Sequence, residues 1–327
     1  MGSVSFIFKN STYQDPTLPT SPPVQNPTTP SAGWSLQSTP TDRFSFMTVD
    51  SGYIYATTYG TENIWTFDGE NWSVLSTMEL PVSTSQNVFI KNNDWYGGLD
   101  TGKVYRFSGG NWLERDDLGG NVRSAEIYKN QLYMCANEKI YTEGAPDWNE
   151  DVDLGTGYTV YCLKEYDGDL YAGRSGGSAG GGNLWRKHGG GWSAVTTLAN
   201  RVHVLYEASD GYLYAGCSQS NTSNTGRVYQ YDGNSWAYIG DTQFGVPFDI
   251  IEYQGYLYIV GGTLNILFVV KRIELSSIVR TQDNSETAFS VGDATTGYAM
   301  AVYNNYLYVS TNDHGSSNGK VYVYNPN

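Results

Sequence analysis

The chain has 327 residues, 39% of them hydrophobic and 15% aromatic, which is enough apolar material to bury a core and too much for a disordered chain. With 33 Asp and Glu against 19 Lys and Arg, its net charge of −14 repels a phosphate backbone, so nucleic acid is excluded as an expected partner. The 28 Tyr, 38 Gly and 9 Trp, set against few helix formers, point to an all-β chain of strands joined by tight turns.

Residues 1–32 open the chain with six of its 11 prolines (Pro16, Pro19, Pro22, Pro23, Pro27 and Pro30), spaced by Ser and Thr. Such a composition favours extended polyproline-like backbone and builds no core, so this segment reads as an arm that lies on something or hangs free. Its apolar run VSFIF (4–8) suits either a strand added to a neighbour's sheet or one packed on this chain, and both remain open. MGSVSFIFKN lacks the basic start and apolar length of a secretion signal, and Phe6 stands where myristoylation requires Ser or Thr. The chain is therefore expected either to be made without a signal or to have lost one. The longest apolar stretch, residues 266–270, is far short of the ~18 to 20 residues of a spanning helix, so no membrane insertion is expected.

From residue 33 onward the sequence repeats. GYIYATT (52–58), NDWYGGL (93–99), NQLYMCA (130–136), GDLYAGR (168–174), GYLYAGC (211–217), GYLYIVG (255–261) and NYLYVST (305–311) align on Tyr55, Tyr96, Tyr133, Tyr171, Tyr214, Tyr258 and Tyr308, at separations of 41, 37, 38, 43, 44 and 50. That period suits a four-stranded propeller blade. An apolar strand precedes each anchor across a tight turn such as Asp167-Gly168 or Asp210-Gly211. Most anchors are followed by an alternating strand, a Gly-containing turn and a Trp that opens an outer strand; the sixth unit, VVKRIELSSI, keeps the strand and loses the turn and Trp. The seventh unit ends at KVYVYNPN without a Trp-led strand, and GWSLQST (33–39) matches NWSVLST (71–77) almost residue for residue. The expectation is one domain over residues 33–327: a seven-bladed β-propeller closed by an N-terminal strand, residues 33–39 completing the last blade. An open β-solenoid is the alternative, and it requires capping repeats where this sequence has a complementary terminus.

Six residues separate an aromatic from a Trp in Trp65 to Trp72, Tyr105 to Trp112, Tyr141 to Trp148, Trp185 to Trp192 and Tyr229 to Trp236, and in this spacing the units resemble kelch repeats. The glycine doublet of that family is kept only at Gly97-Gly98 and Gly261-Gly262. Phe8-Lys9-Asn10-Ser11, the prolines at 16, 19, 27 and 30, Gly33-Trp34-Ser35, Pro40 and Phe46-Met47 resemble the openings of tail-fibre and other virion proteins of tailed bacteriophages. That resemblance implies a protein carried on a phage particle, attached by its arm and exposing its propeller.

Catalytic motifs are thin. DGENW and DGNSW are similar to the sialidase Asp-box without its leading Ser and its Thr, and read as structural turns. Asp147, Asn149, Asp151 and Asp153 alternate like calcium ligands, but Val152 holds the position of the loop's Gly and Tyr158 that of its bidentate Glu, so a solvated acidic loop is expected. Gly173-Arg174-Ser175-Gly176-Gly177 spells G-x-S-x-G, yet no helix follows to make a nucleophile elbow. His188, His203 and His314 have no ligand spacing, and Cys135, Cys162 and Cys217 read as core residues rather than a disulfide or zinc framework. No cofactor or metal is expected.

The connections between second and third strands share one face, and three are long and polar: residues 174–183, 217–227 and 310–320. Arg174, Ser175, Asn183, Gln219, Asn221, Asn224, Arg227, Asn312, Asp313, His314 and Asn318 supply donors and acceptors there as candidate ligand-binding residues. Plain surface loops would have the same composition. The function expected is a non-enzymatic virion protein, extracellular when assembled, whose residues 1–32 hold other virion proteins and whose loop face meets a host-surface glycan or receptor. A secreted or cell-surface lectin, a carbohydrate-active propeller enzyme and a purely structural decoration remain alternatives.

Overall fold

Strands with alternating residues, separated by two-residue turns, pair as antiparallel hairpins. Asp167 and Gly168 have φ of 50° and 78°, and Asn304 and Asn305 have 49° and 62°. Positive φ at both central positions is the type I′ turn, whose twist matches that of the flanking strands.

The structure, a computed structural model, describes residues 33–37, 43–58, 63–77, 86–91, 94–108, 111–144, 147–176, 182–219, 225–262, 268–291, 294–313 and 319–326. The expected arm, residues 1–32, lies outside them. After β1 (Gly33–Gln37) come five separate four-stranded sheets: β2 (Phe44–Asp50), β3 (Tyr53–Thr58), β4 (Asn63–Phe67) and β5 (Trp72–Thr77); β6 (Gln86–Lys91), β7 (Asp94–Leu99), β8 (Lys103–Ser108) and β9 (Asn111–Asp117); β10 (Val122–Tyr128), β11 (Gln131–Ala136), β12 (Lys139–Thr142) and β13 (Asn149–Asp153); β14 (Val160–Tyr166), β15 (Asp169–Arg174), β16 (Gly182–His188) and β17 (Gly191–Ala199); β18 (Arg201–Glu207), β19 (Leu213–Ser218), β20 (Gly226–Tyr231) and β21 (Trp236–Asp241). The remaining strands are β22 (Val246–Tyr253), β23 (Tyr256–Gly262), β24 (Phe268–Glu274), β25 (Glu286–Val291), β26 (Ala294–Tyr303), β27 (Tyr306–Asp313) and β28 (Gly319–Asn325).

Those last strands correct the expectation of seven closed, separate blades. Together with β1 they form a single eight-stranded sheet, because β23 pairs with β26 through Gly262 opposite Thr296. A Cβ on Gly262 would run into the Thr296 side chain, so the glycine is what lets the two backbones meet. The described residues form six sheets, five of four strands and one of eight. Within the large sheet β1 pairs with β28, Trp34 opposite Tyr324, and the Trp34 ring stacks at 4.6 Å on Phe289 and 5.0 Å on Tyr324.

The first strands of successive hairpins, β2, β6, β10, β14, β18, β22 and β26, are neighbours in that order, and β26 also lies beside β2. The core sits between facing sheets. Tyr55 and Ile64 of one sheet pack with Trp95, Leu99 and Tyr105 of the next, while Phe44, Met47 and Ile54 pack with Tyr308, Val321 and Val323. Tyrosine hydroxyls at the ends of three first strands tie their hairpins to the turn of the next: Tyr166 to Gly211 O at 2.9 Å, Tyr253 to Asn305 O at 2.7 Å and Tyr303 to Gly52 O at 2.7 Å.

The Gly-containing turns are held from within. Asp68 Oδ1 accepts the N–H groups of Glu70 and Asn71, and Asp232 Oδ1 those of Asn234 and Ser235. The Ser235 and Asn234 amides, then Arg280, bring the Asp232 carboxyl down to about 2. Arg280 comes from the connection between β24 and β25, which replaces the missing sixth turn and folds back on the preceding sheet, pairing with Asp232 and donating to Ser235 O at 2.7 Å.

Candidate functional site

The loop face begins where second strands end, and there the structure engages two of the candidate residues internally. Arg174 is buried; its guanidinium lies 3.9 Å from the Tyr158 ring and 5.0 Å from that of Trp185 and donates to Leu154 O. Burial lowers its pKa. Ser175 is also buried, its Oγ accepting the Thr159 N–H at 2.8 Å and its own N–H donating to Thr159 O at 2.8 Å. Ser175 ends a strand with no helix after it among the described residues, so the geometry of a nucleophile elbow is absent there.

Gln219 reaches the Tyr229 hydroxyl at 3.4 Å, and Arg227 faces Asp241 at 3.5 Å with its guanidinium 5.2 Å from the Tyr238 ring. Asn183 falls in β16, and Asn312 and Asp313 at the end of β27. Asn221, Asn224, His314 and Asn318 lie outside the described residues.

Most of the acidic stretch, Asn149–Asp153, is strand β13 rather than a solvated loop; Asp147 precedes it and is exposed. Asp151 on β13 takes Lys187 Nζ at 2.6 and 2.7 Å and Trp192 Nε1 at 2.6 Å, and Asp153 Oδ1 accepts Gly155 N–H at 2.7 Å. A solvent loop reading fails because these carboxylates serve the neighbouring sheet and the next turn. Among the described residues no group of three His, Cys, Asp or Glu side chains is placed to hold a metal ion.

A second set of residues at the same end was not singled out from the sequence. Near their starts, six of the seven first strands, all but β6, carry one extra residue relative to their partners: Ser45 between Phe44 and Phe46, Arg123 between Val122 and Ser124, Tyr161 between Val160 and Cys162, His203 between Val202 and Val204, Phe248 between Pro247 and Asp249, and one within Gly297 to Met300, where Tyr298 lies. A β-bulge bends the strand and re-aims its side chain. These bulges pair with the last residues of the second strands, from which the candidate loops leave, so both sets occupy one end of the molecule.

The bulge side chains meet one another. The Arg123 guanidinium is 5.0 Å from the Tyr161 ring, Tyr161 is 4.7 Å from His203, and Phe248 stacks on Tyr298 at 5.3 Å with 18° between planes. Arg123, Phe248 and Tyr298 are half-buried, whereas His203 is 2% exposed. His203 Nε2 lies 3.1 Å from Ser218 Oγ, and its Nδ1 has no hydrogen-bond partner among the described residues. Burial first, then the positive charges of Arg201 and Arg123, push the His203 pKa well below the usual histidine value, so the ring is neutral at neutral pH. The sequence signal for this set was present: one large residue between smaller ones in VRS, VYC, VHV, PFD and GYA.

Comparison with solved structures identifies the architecture. The WD40 repeats of RRP9 superpose with a TM-score of 0.63 at 9% identity, over 90% of this chain and 98% of that one. The chain is an all-β propeller. The computationally designed protein Ika8 is similar in the same sense, with a TM-score of 0.58 at 12% identity over 88% of this propeller and 98% of its own chain. At such identities the likeness concerns the fold alone. No family profile and no curated protein matches the propeller by sequence.

Proposed function

We propose that this propeller is a non-enzymatic attachment module of a phage particle, anchored to other virion proteins through residues 1–32 and turned outward so that its loop face meets a host-surface glycan or protein. The observation that carries the reading is the build of that face. Connections from neighbouring sheets interlock there, with Gly176 N–H on Asn200 O at 2.7 Å and Val160 N–H on Asn137 O at 2.7 Å, so polar and aromatic side chains project from a fixed rim. Recognition residues on loops held by a rigid scaffold are the usual arrangement for binding. The kelch-like spacing supports the display role, and the likeness of residues 1–47 to tail-fibre openings supports the particle.

The test is competition and assembly with the full chain. Purified protein is expected to adhere to a subset of bacterial cells in a surface panel and to block particle adsorption to them. Ala changes at Asn221, Asn224, Asn312 and His314 are expected to weaken that adhesion, and removal of residues 1–32 to abolish incorporation into particles. Adhesion and adsorption untouched by the four Ala changes would turn the reading toward decoration. Particles that form normally around an arm-less chain would turn it toward a free lectin.

A further inference from the structure

We propose that the bulge side chains Arg123, Tyr161, His203, Phe248 and Tyr298, together with Arg201, form a binding site for a carboxylate-bearing sugar residue. The inference rests on the attachment reading and deepens it by naming the ligand class. β2 also spends an extra residue at this position, on Ser45, and in the five successive first strands from β10 to β26 that residue, or one of two in β26, carries a guanidinium or a ring. The bulge is thus shared with a strand that has only a serine there, and what sets the five apart is the large side chain that the bulge re-aims.

The chemistry of the set selects its ligand. The stacked Phe248 and Tyr298 rings, half-buried at the loop end, offer a flat apolar platform of the kind that takes the C–H face of a pyranose. On the neighbouring first strand, His203 has a ring nitrogen without a partner among the described residues in an almost fully buried side chain, a polar atom that gains a hydrogen bond when a sugar hydroxyl arrives. The charged side chains that act on His203 are Arg201 and Arg123, both cationic, within a chain of net charge −14. The Arg201 main chain is fixed by an antiparallel backbone bridge to Ser175. Local positive charge on an acidic protein steers anions to this spot and away from the rest of the surface. A guanidinium engages a carboxylate bidentately, which distinguishes an acidic sugar from its neutral analogue.

The experiment is calorimetric titration of the full chain with an oligosaccharide ending in glucuronic acid and with the same oligosaccharide ending in glucose. The acidic form is expected to bind at least about tenfold more tightly, and Arg123→Gln to remove at least about tenfold of its affinity. Phe248→Leu, which keeps the volume apolar, is expected to weaken both forms, while Lys129→Gln, in the exposed turn between β10 and β11 at the opposite end of the strands, leaves both unchanged. Equal affinities, no effect of Arg123→Gln, or an equal loss with Lys129→Gln overturn the site. So does failure to bind either oligosaccharide by a chain that still adheres to cells, which leaves the attachment reading standing. A chain that adheres neither to sugar nor to any cell sinks both.

Discussion

Two joints between neighbouring sheets are built at equivalent positions and end differently. In one, Ser175 just beyond β15 bridges Arg201 at the start of β18, and the two sheets stay separate. In the other, Gly262 at the end of β23 pairs with Thr296 near the start of β26, and two sheets become one of eight strands. Ser175 also turns its hydroxyl back to Thr159, whereas Gly262 has no side chain and lets the Thr296 side chain approach. Hydrogen bonding crosses both boundaries, through Gly176 N–H to Asn200 O at the first; at the second the bridging residues belong to β23 and β26 themselves, which makes the two sheets continuous.

The largest effect is expected at the glycine. Gly262→Val is expected to cost about 3 kcal/mol through overpacking against Thr296 and to remove the amide-exchange protection that crosses from β23 to β26. The matched change Ser175→Val loses one buried hydrogen bond and is expected to cost only about 1 to 2 kcal/mol in chemical denaturation. At the far edge of the large sheet, Trp34→Ala removes a half-buried ring from between Phe289 and Tyr324 and is expected to cost about 2 kcal/mol and expose residues 321–325 to exchange. Tyr303→Phe, which loses hydroxyl bonds to Gly52 O and Asp68 O, is expected to cost about 1 kcal/mol, as is Tyr166→Phe between two separate sheets.

The smallest expected effects are on pH dependence, and they run in opposite directions. Burial raises the Glu126 carboxyl from 4.5 to about 7 although Lys164, 3.5 Å away, pulls it down. The folded state therefore holds a proton that the unfolded chain releases, and stability falls as pH rises from about 4.5 through about 7. Melting curves between pH 5 and 8 are expected to show that decline flattened in Glu126→Gln. Neutral, buried His203 acts at the other limb: its lowered pKa confers stability above the ordinary value of 6.5 that is lost as pH falls below it. His203→Gln is expected to flatten melting-temperature loss between pH 6.5 and 4.5.

Much of this was legible from residue order. The Tyr anchors, the Asp167-Gly168 turn and the Trp after each Gly-containing turn carry local geometry, so strands and hairpins follow from nearest-neighbour chemistry. The fused sheet was not legible, because Gly262 and Thr296 meet only after both hairpins have formed, and nothing in GYLYIVGG says which side chain waits opposite. Candidate residues divided in the same way. Arg174 looks like a loop cation until Tyr158, Trp185 and Leu154 O enclose it, and the bulge residues look like core until the extra count in each bulged first strand is measured against its partner.

Thiol labelling tests the central claim, that the bulges present their side chains at an accessible end of the propeller. Cys135, Cys162 and Cys217 are buried, and burial pushes the Cys135 thiol up to about 12, so the native chain provides a silent background. Folded wild-type protein is expected to take up no label on the timescale in which Phe248→Cys takes up one, and glucuronic-acid oligosaccharide to slow that single modification. Rapid labelling of the folded wild type, or a cysteine at 248 that reacts only after unfolding, would contradict the account.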